Sequence, residues 1–231
     1  MYTYQATVRR MNSDQQIVEL QMDSCVAAGY TGRDQNSVVE HISELKKLGV
    51  ATPYAIPAMY WISPARLTSH EKLFVVGRQT SPEVEFLIAG DCNGSLYVTV
   101  ACDHTDRSLE AVSVGKSKQI CDKILGDIFW PVEEVDAHWD DIQIRSQVRK
   151  DNEWIPYQAG FLKDMLHYKE LLRLIKADEP AGKAPCLLSG TIPVIGGEMI
   201  YASACRITLS DPHLKREIVK QYEVVVLPDR S

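Results

Sequence analysis

Two apolar runs hinged on Asn93-Gly94 constrain this chain more than any other feature. Phe86-Leu87-Ile88-Ala89 precedes the pair and Leu96-Tyr97-Val98-Thr99-Val100-Ala101 follows it. Asn-Gly between two such runs is a strong short-range signal for a β-hairpin. The hairpin carries carboxylates at its open end. Glu83 and Glu85 are one residue apart, so on a strand they project from one face. Asp103 joins them only in the right register. With a two-residue loop Cys92 pairs with Ser95, Asp103 lies opposite Val84, and its side chain points away from both glutamates. A one-residue bulge or an odd-numbered loop turns it back. Three carboxylates on one face form an oxygen-only set suited to a hard divalent cation such as Mg²⁺ or Mn²⁺. By spacing alone, Glu-x-Glu is otherwise an ordinary solvated strand face.

The remaining pattern is rich in strands. Residues 2–22 alternate as strands about a turn at Asn12-Ser13-Asp14. A helix is expected over 37–48, with Ser37 and Glu40 as a capping box, a stripe of Val38, Ile42 and Leu45, and Gly49 as its stop. Prolines 53, 57 and 64 mark an extended stretch. Strands are expected at 73–76, 84–89, 95–102, 142–148, 199–209 and 221–227. Residues 108–126 read as helical or mixed, 160–175 as a helix, and Ala177–Pro185 as a polar loop. This pattern lacks the regular β–α alternation of a doubly wound sheet. The fold class expected is α+β and β-rich, as one domain over residues 1–231.

Composition narrows the partners. The chain has 231 residues, 45% of them hydrophobic, and a net charge of −6. That balance argues against nucleic acid or an anionic membrane as the main partner. No run approaches the ~20 apolar residues of a membrane span. The opening decapeptide has no signal-type apolar core. The six cysteines are scattered without Cys-x-x-Cys spacing, which fits reduced thiols in a cytoplasmic protein. Gly-x-Ser-x-Gly, phosphate-loop and dinucleotide glycine motifs are all missing from the sequence.

Several other residues bear chemistry. His41 and Glu44 are three apart on the expected helix and therefore neighbours. A carboxylate beside imidazole orients the ring and raises its basicity, as a water-activating base requires. Lys116 and Lys118 follow the hairpin. Gly190-Thr191 and Gly196-Gly197 frame a turn that lets backbone amides approach a ligand. His104, next to Asp103, is expected to be a packing or surface histidine, and Cys102 a structural thiol.

In order and spacing these segments resemble the fumarylacetoacetate hydrolase superfamily. Its members carry Glu-x-Glu, an Asp-x-Ser/Thr-x-Arg segment, a lysine and a Gly-Thr-Pro turn. The matching residues here are Glu83-Val84-Glu85, Asp103-His104-Thr105-Asp106-Arg107, Lys118 with Lys116 as the other register, and Ser189-Gly190-Thr191. Here Ile192 stands where the superfamily has the proline. The resemblance spans roughly residues 30–200. It is closer still to a branch of bacterial and fungal proteins with Thr31-Gly32-Arg33-Asp34 and Asp103-His104-Thr105-Asp106-Arg107.

This resemblance implies rolled mixed β-sheets with a few helices, and helix 37–48 as a lid. It implies Glu83, Glu85 and Asp103 as ligands of Mg²⁺ or Mn²⁺. His41, Glu44 and Lys118 would be catalytic, and Arg107, Thr191 and Gly190 would bind substrate. The implied reaction is hydrolytic cleavage of a C–C bond in a small oxo acid or 1,3-dicarbonyl through a metal-stabilised enolate. Decarboxylation, tautomerisation or dehydration of a small 2-oxo acid uses the same electron sink. A non-catalytic protein on the same fold is the rival of another class. Superfamily members are commonly homodimers, so a homodimer is expected.

Overall fold

The computed structural model of the chain describes residues 1–47, 53–177 and 184–230. Ten strands form one mixed sheet. Their spatial order is Ala58–Ile62, Ser24–Gly29, Pro185–Leu188, Val84–Asp91, Gln15–Met22, Tyr2–Arg9, Ile128–Pro131, Leu96–Cys102, Lys123–Leu125 and Leu67–Thr68. Val84–Asp91 also pairs antiparallel with Leu96–Cys102, which closes the middle of the sheet into a ring of strands. Tyr2–Arg9 lies parallel to Ile128–Pro131 in that ring, and Pro185–Leu188 lies parallel to Ser24–Gly29. A second sheet packs beside it, in the order Glu153–Phe161, Gln143–Lys150, Ala204–Asp211, Arg216–Leu227, Lys72–Val76.

The hairpin strands explain the layering. Val84–Asp91 is buried on both faces except at its last residues. Phe86 and Ile88 join a core shared with Ile144, Val148, Ile207, Leu209 and Ile218 of the second sheet. Leu87 and Ala89 point the other way, into a core with Ala6, Val8, Leu20, Met22, Ala101 and Phe129. A strand covered on both sides reads as a continuous apolar run, which is how this one stands in the sequence. By alternation Glu85 and Glu83 share the face of Leu87 and Ala89. They sit at the end of the core enclosed by the ring.

Two helix expectations change, and the strand expected over 199–209 is Ala204–Asp211. The helix expected at 37–48 is Gln35–Lys47, with residues 48 and 49 outside the described residues. Its cap is Asp34: the Asp34 carboxylate accepts from the amides of Asn36 at 3.1 Å and Ser37 at 3.4 Å. The Ser37 hydroxyl donates to the same carboxylate at 2.7 Å, so it supports the cap instead of forming it. The helix expected over 160–175 begins only at Tyr168. Leu162, Met165 and Leu166 repeat at helical spacing. They are buried, however, from the end of strand Glu153–Phe161 and a single 3₁₀ turn at Leu162–Asp164. Burial against two sheets outweighs the periodic signal there. Of the expected polar loop, residues 178–183 lie outside the described residues. No helix among the described residues is long and apolar enough to cross a membrane.

Candidate metal centre

The register of the hairpin places the three carboxylates together. Asp91 faces Ser95, with its amide donating to the Ser95 carbonyl at 3.0 Å, so the loop is the three residues Cys92-Asn93-Gly94. Gly94 takes φ +85°, the left-handed turn residue such a loop needs. The Asp91 carboxylate accepts from the amides of Asn93 and Ser95, both at 2.9 Å, and fixes the loop. With an odd loop, Val84 pairs with Cys102 and Glu85 with Ala101. Asp103 then falls opposite Glu83, its amide donating to the Glu83 carbonyl at 2.9 Å. One oxygen from each of Glu83, Glu85 and Asp103 lies within 4.8 Å of the others.

Cations crowd this cluster. Lys118 Nζ donates to Glu83 Oε2 at 3.0 Å and contacts Asp103 Oδ2. Arg107 donates to Glu83 Oε1 at 3.0 Å, to Glu110 at 2.7 Å and to the Ser81 hydroxyl at 2.6 Å. Lys123 Nζ lies 2.7 Å from Asp103 Oδ1 and donates to the His104 carbonyl at 2.8 Å. Among the described residues Glu85 has no such partner: its Oε2 accepts from the Gly190 amide at 3.0 Å, and its Oε1 is buried without a hydrogen bond. Only Glu83 keeps measurable access to solvent, with 15% of its side chain exposed against none for Asp103.

Electrostatics follow these contacts. Burial alone would raise the Glu83 carboxyl, but Lys118 and Arg107 outweigh it and hold it at about 2. Burial, reinforced by Asp103, pushes Glu85 well above the usual carboxylate range. Burial works against the Lys118 ammonium, yet Asp103, Glu83 and Glu85 reverse its effect and raise the group well above an ordinary lysine. A buried carboxylate oxygen with no partner, beside two more carboxylates, is costly unless a cation or proton meets it. The donor set fits a hard divalent ion.

The glycine turn closes over Glu85. Gly190 has φ +81°, and a Cβ there would stand 2.3 Å from Thr31 Oγ1 and 3.1 Å from the Ala28 carbonyl. Only glycine lets that amide reach Glu85. Two segments distant in sequence, Thr31-Gly32-Arg33-Asp34 and Ser189-Gly190-Thr191, therefore meet here. The Thr191 hydroxyl donates to the Val84 carbonyl at 2.9 Å and accepts from Gln158 Nε2 at 2.7 Å. Gln158 also accepts from the Val84 amide at 3.0 Å, tying the turn to the strand bearing the glutamates.

Several sequence expectations resolve in space. Lys118 is buried against the carboxylates while Lys116 is exposed. His41 and Glu44 belong to helix Gln35–Lys47, and their side chains lie outside the described residues. His104 is fully buried between Tyr222, at 2.9 Å, and Thr80, at 3.0 Å. Burial, then Lys123 and Arg107, lower its imidazole to about 3, so it is a neutral packing group. Burial lifts the Cys102 thiol to about 12, and it sits 3.0 Å from the Tyr222 hydroxyl as an inert core residue. Two residues escaped the sequence reading. Lys123 had a signal, since a lysine opening the apolar run Lys123-Ile124-Leu125 needs a buried partner. Gln158 had none. Two open clefts of about 450 and 420 Å³ lie elsewhere, around Arg10 and Tyr97 and around Tyr4 and Arg66.

Comparison with known proteins agrees with the fold. The solved structure of 2-keto-3-deoxyarabinonate dehydratase superposes with a TM-score of 0.68 at 17% identity, covering 94% of this chain and 78% of that one. The same kind of enzyme complexed with magnesium and 2,5-dioxopentanoate gives 0.66 at 17% identity, with the same coverage. Cg1458 with an inhibitor gives 0.62 at 16% identity, covering 93% of this chain and 81% of that one. A search of the curated proteins finds no match. The architecture is that of the fumarylacetoacetate hydrolase-like fold. The family described as "Protein of unknown function (DUF2848)" matches residues 28–222, and this chain belongs to that family.

Proposed function

We propose that this protein is a Mg²⁺- or Mn²⁺-dependent enzyme acting on a small 2-oxo acid, by loss of water or another small fragment from the carbon chain. One observation carries the reading: Glu83, Glu85 and Asp103 converge within 4.8 Å, and the buried Glu85 Oε1 has no partner among the described residues. Glu83, Glu85 and Asp103 would hold the ion. When bound, the ion supplies a Lewis acid for the adjacent oxygens of a 2-oxo acid.

This chain's own groups supply the rest. Lys118 offsets the negative charge that develops on the substrate oxygens as a bond to the neighbouring carbon breaks. Arg107, held by Ser81 and Glu110, keeps Glu83 ionised and fixes its angle. Gly190 and Thr191 form the wall over Glu85 against which the substrate carboxylate rests. Helix Gln35–Lys47 acts as a lid and carries His41, oriented by Glu44, as the general base. The protein is a homodimer, and the oxo acid is its small-molecule partner.

A dehydratase in the same fold, bound to magnesium and 2,5-dioxopentanoate, supports elimination over hydrolytic C–C cleavage. The test is product analysis by NMR after incubating the protein and Mn²⁺ with a panel of 2-oxo acids. A dehydrated or decarboxylated product supports elimination, and two organic fragments with water incorporated support hydrolysis. No turnover on any 2-oxo acid or 1,3-dicarbonyl overturns the assignment.

A further inference from the structure

The cation contacts around the carboxylates are unequal in a way that assigns Lys118 a second role, and this inference rests on the metal reading above. All four oxygens of Glu83 and Asp103 already meet a cation. Glu83 Oε1 faces Arg107 and Oε2 faces Lys118, while Asp103 Oδ1 faces Lys123 and Oδ2 faces Lys118. A Mg²⁺ ion held by both residues needs an oxygen from each at about 2.0–2.1 Å. Each oxygen keeps a second lone pair, so the ion need not break every contact, but it cannot enter a position that another cation already fills.

Three differences point to the one displaced. Lys118 alone bridges two of the carboxylates, so its Nζ occupies the space between them. An ammonium hydrogen-bonded to two oxygens and a cation ligated by the same two cannot share that space. Arg107 is anchored elsewhere by Ser81 and Glu110, and Lys123 by the His104 carbonyl. Among the described residues Lys118 has only the carboxylates as partners, and it projects from Val114–Ile120, a helix of seven residues.

We infer that the Lys118 ammonium is a resident counter-ion that holds the carboxylates together in the metal-free protein and is expelled when the divalent ion enters. The expelled ammonium stays charged and turns toward the substrate side. Binding of the ion and freeing of the lysine are then one event. Metal affinity is correspondingly weaker than the three carboxylates alone would give.

The experiment is calorimetric Mn²⁺ titration of wild type, Lys118→Met, Lys118→Gln and Lys116→Met, with thermal melts of each protein with and without Mn²⁺. Removing a buried positive charge from the ion's position is expected to tighten Mn²⁺ binding about tenfold or more in both Lys118 variants. Without Mn²⁺ those variants should melt lower than wild type, and Mn²⁺ should raise their melting temperature by more. Lys116→Met, altering an exposed neighbour, should match wild type in both measurements. If Lys118→Met does not fold without metal, Lys118→Gln retains a polar group for the carboxylates and gives the same comparison. Wild-type binding with equal or weaker binding in the Lys118 variants overturns the counter-ion role and leaves the metal site standing. No binding in any protein overturns both.

Discussion

Replacing Gly190 by alanine probes the closest backbone approach at the carboxylates. Two costs add. The residue sits at φ +81°, where an L side chain costs about 1–2 kcal/mol. The added Cβ would also meet Thr31 Oγ1 at 2.3 Å and the Ala28 carbonyl at 3.1 Å. Thr31 is 2% exposed and cannot swing into solvent, so relief requires backbone movement, and such overpacking costs about 1–3 kcal/mol. The sum is about 2–5 kcal/mol, a large share of the roughly 5–15 kcal/mol that holds a domain folded. Urea denaturation reads the loss directly. Thr31→Ala removes the colliding hydroxyl, so the Gly190→Ala/Thr31→Ala pair should recover the steric part and leave about 1–2 kcal/mol of backbone strain. A Gly190→Ala protein within about 0.5 kcal/mol of wild type would refute the close approach, as would strictly additive effects of the two substitutions.

Three further outcomes are expected. Single alanine variants of Glu83, Glu85 and Asp103 should each lose calorimetric Mg²⁺ and Mn²⁺ binding, and unchanged affinity in all three would remove the metal centre. His41→Ala should lower kcat by about 10²–10⁴-fold with metal affinity unchanged if His41 is the base, and Glu44→Ala should follow it more weakly; full activity in both would remove that pair from the mechanism. Asp140 is lowered by its hydrogen bonds from Arg33, two at 2.8 Å, so its ionised form is favoured in the folded state. Its contribution is present above its unfolded pKa of about 3.9 and is lost as pH falls through the folded value. The stability advantage of wild type over Asp140→Asn should be about 0.2–1 kcal/mol at pH 7 and should shrink below about pH 4, as read by denaturation at a series of pH values.

Legibility in the sequence followed locality. The hairpin and its carboxylates were readable because Asn93-Gly94 and the flanking runs lie within 21 residues, Glu83 to Asp103. The loop length was not, because two- and three-residue loops share the Asn-Gly signal and only the pairing register separates them. Lys118 and Lys116 were indistinguishable as letters, since which of them is buried depends on how helix Val114–Ile120 packs. The cap at Asp34 was missed for a similar reason: Ser37 matches the local pattern, but the chain enters the helix three residues earlier. Gln158 reaches the site through pairings between distant strands, of which local spacing carries no trace, whereas Lys123 is marked only by opening an apolar run. The false helix at 160–167 shows the converse, a helical period produced by residues buried from a strand and a turn.

The parallel pairing of Tyr2–Arg9 with Ile128–Pro131 sets a timetable for synthesis. Thr7 pairs with Ile128, 121 residues later, and Val8 with Phe129. A ribosome adds about 5–20 residues per second, so the first strand waits on the order of 6–24 s for its partner. Its hairpin with Gln15–Met22 forms locally, but meanwhile Ala6, Val8, Leu20 and Met22, all buried in the finished protein, lack the rest of their core. During that interval the nascent chain presents an apolar face and an unpaired strand edge, the surfaces that chaperones cover and that aggregation exploits. The enclosed core below the carboxylates therefore cannot close before more than half of the chain has been made.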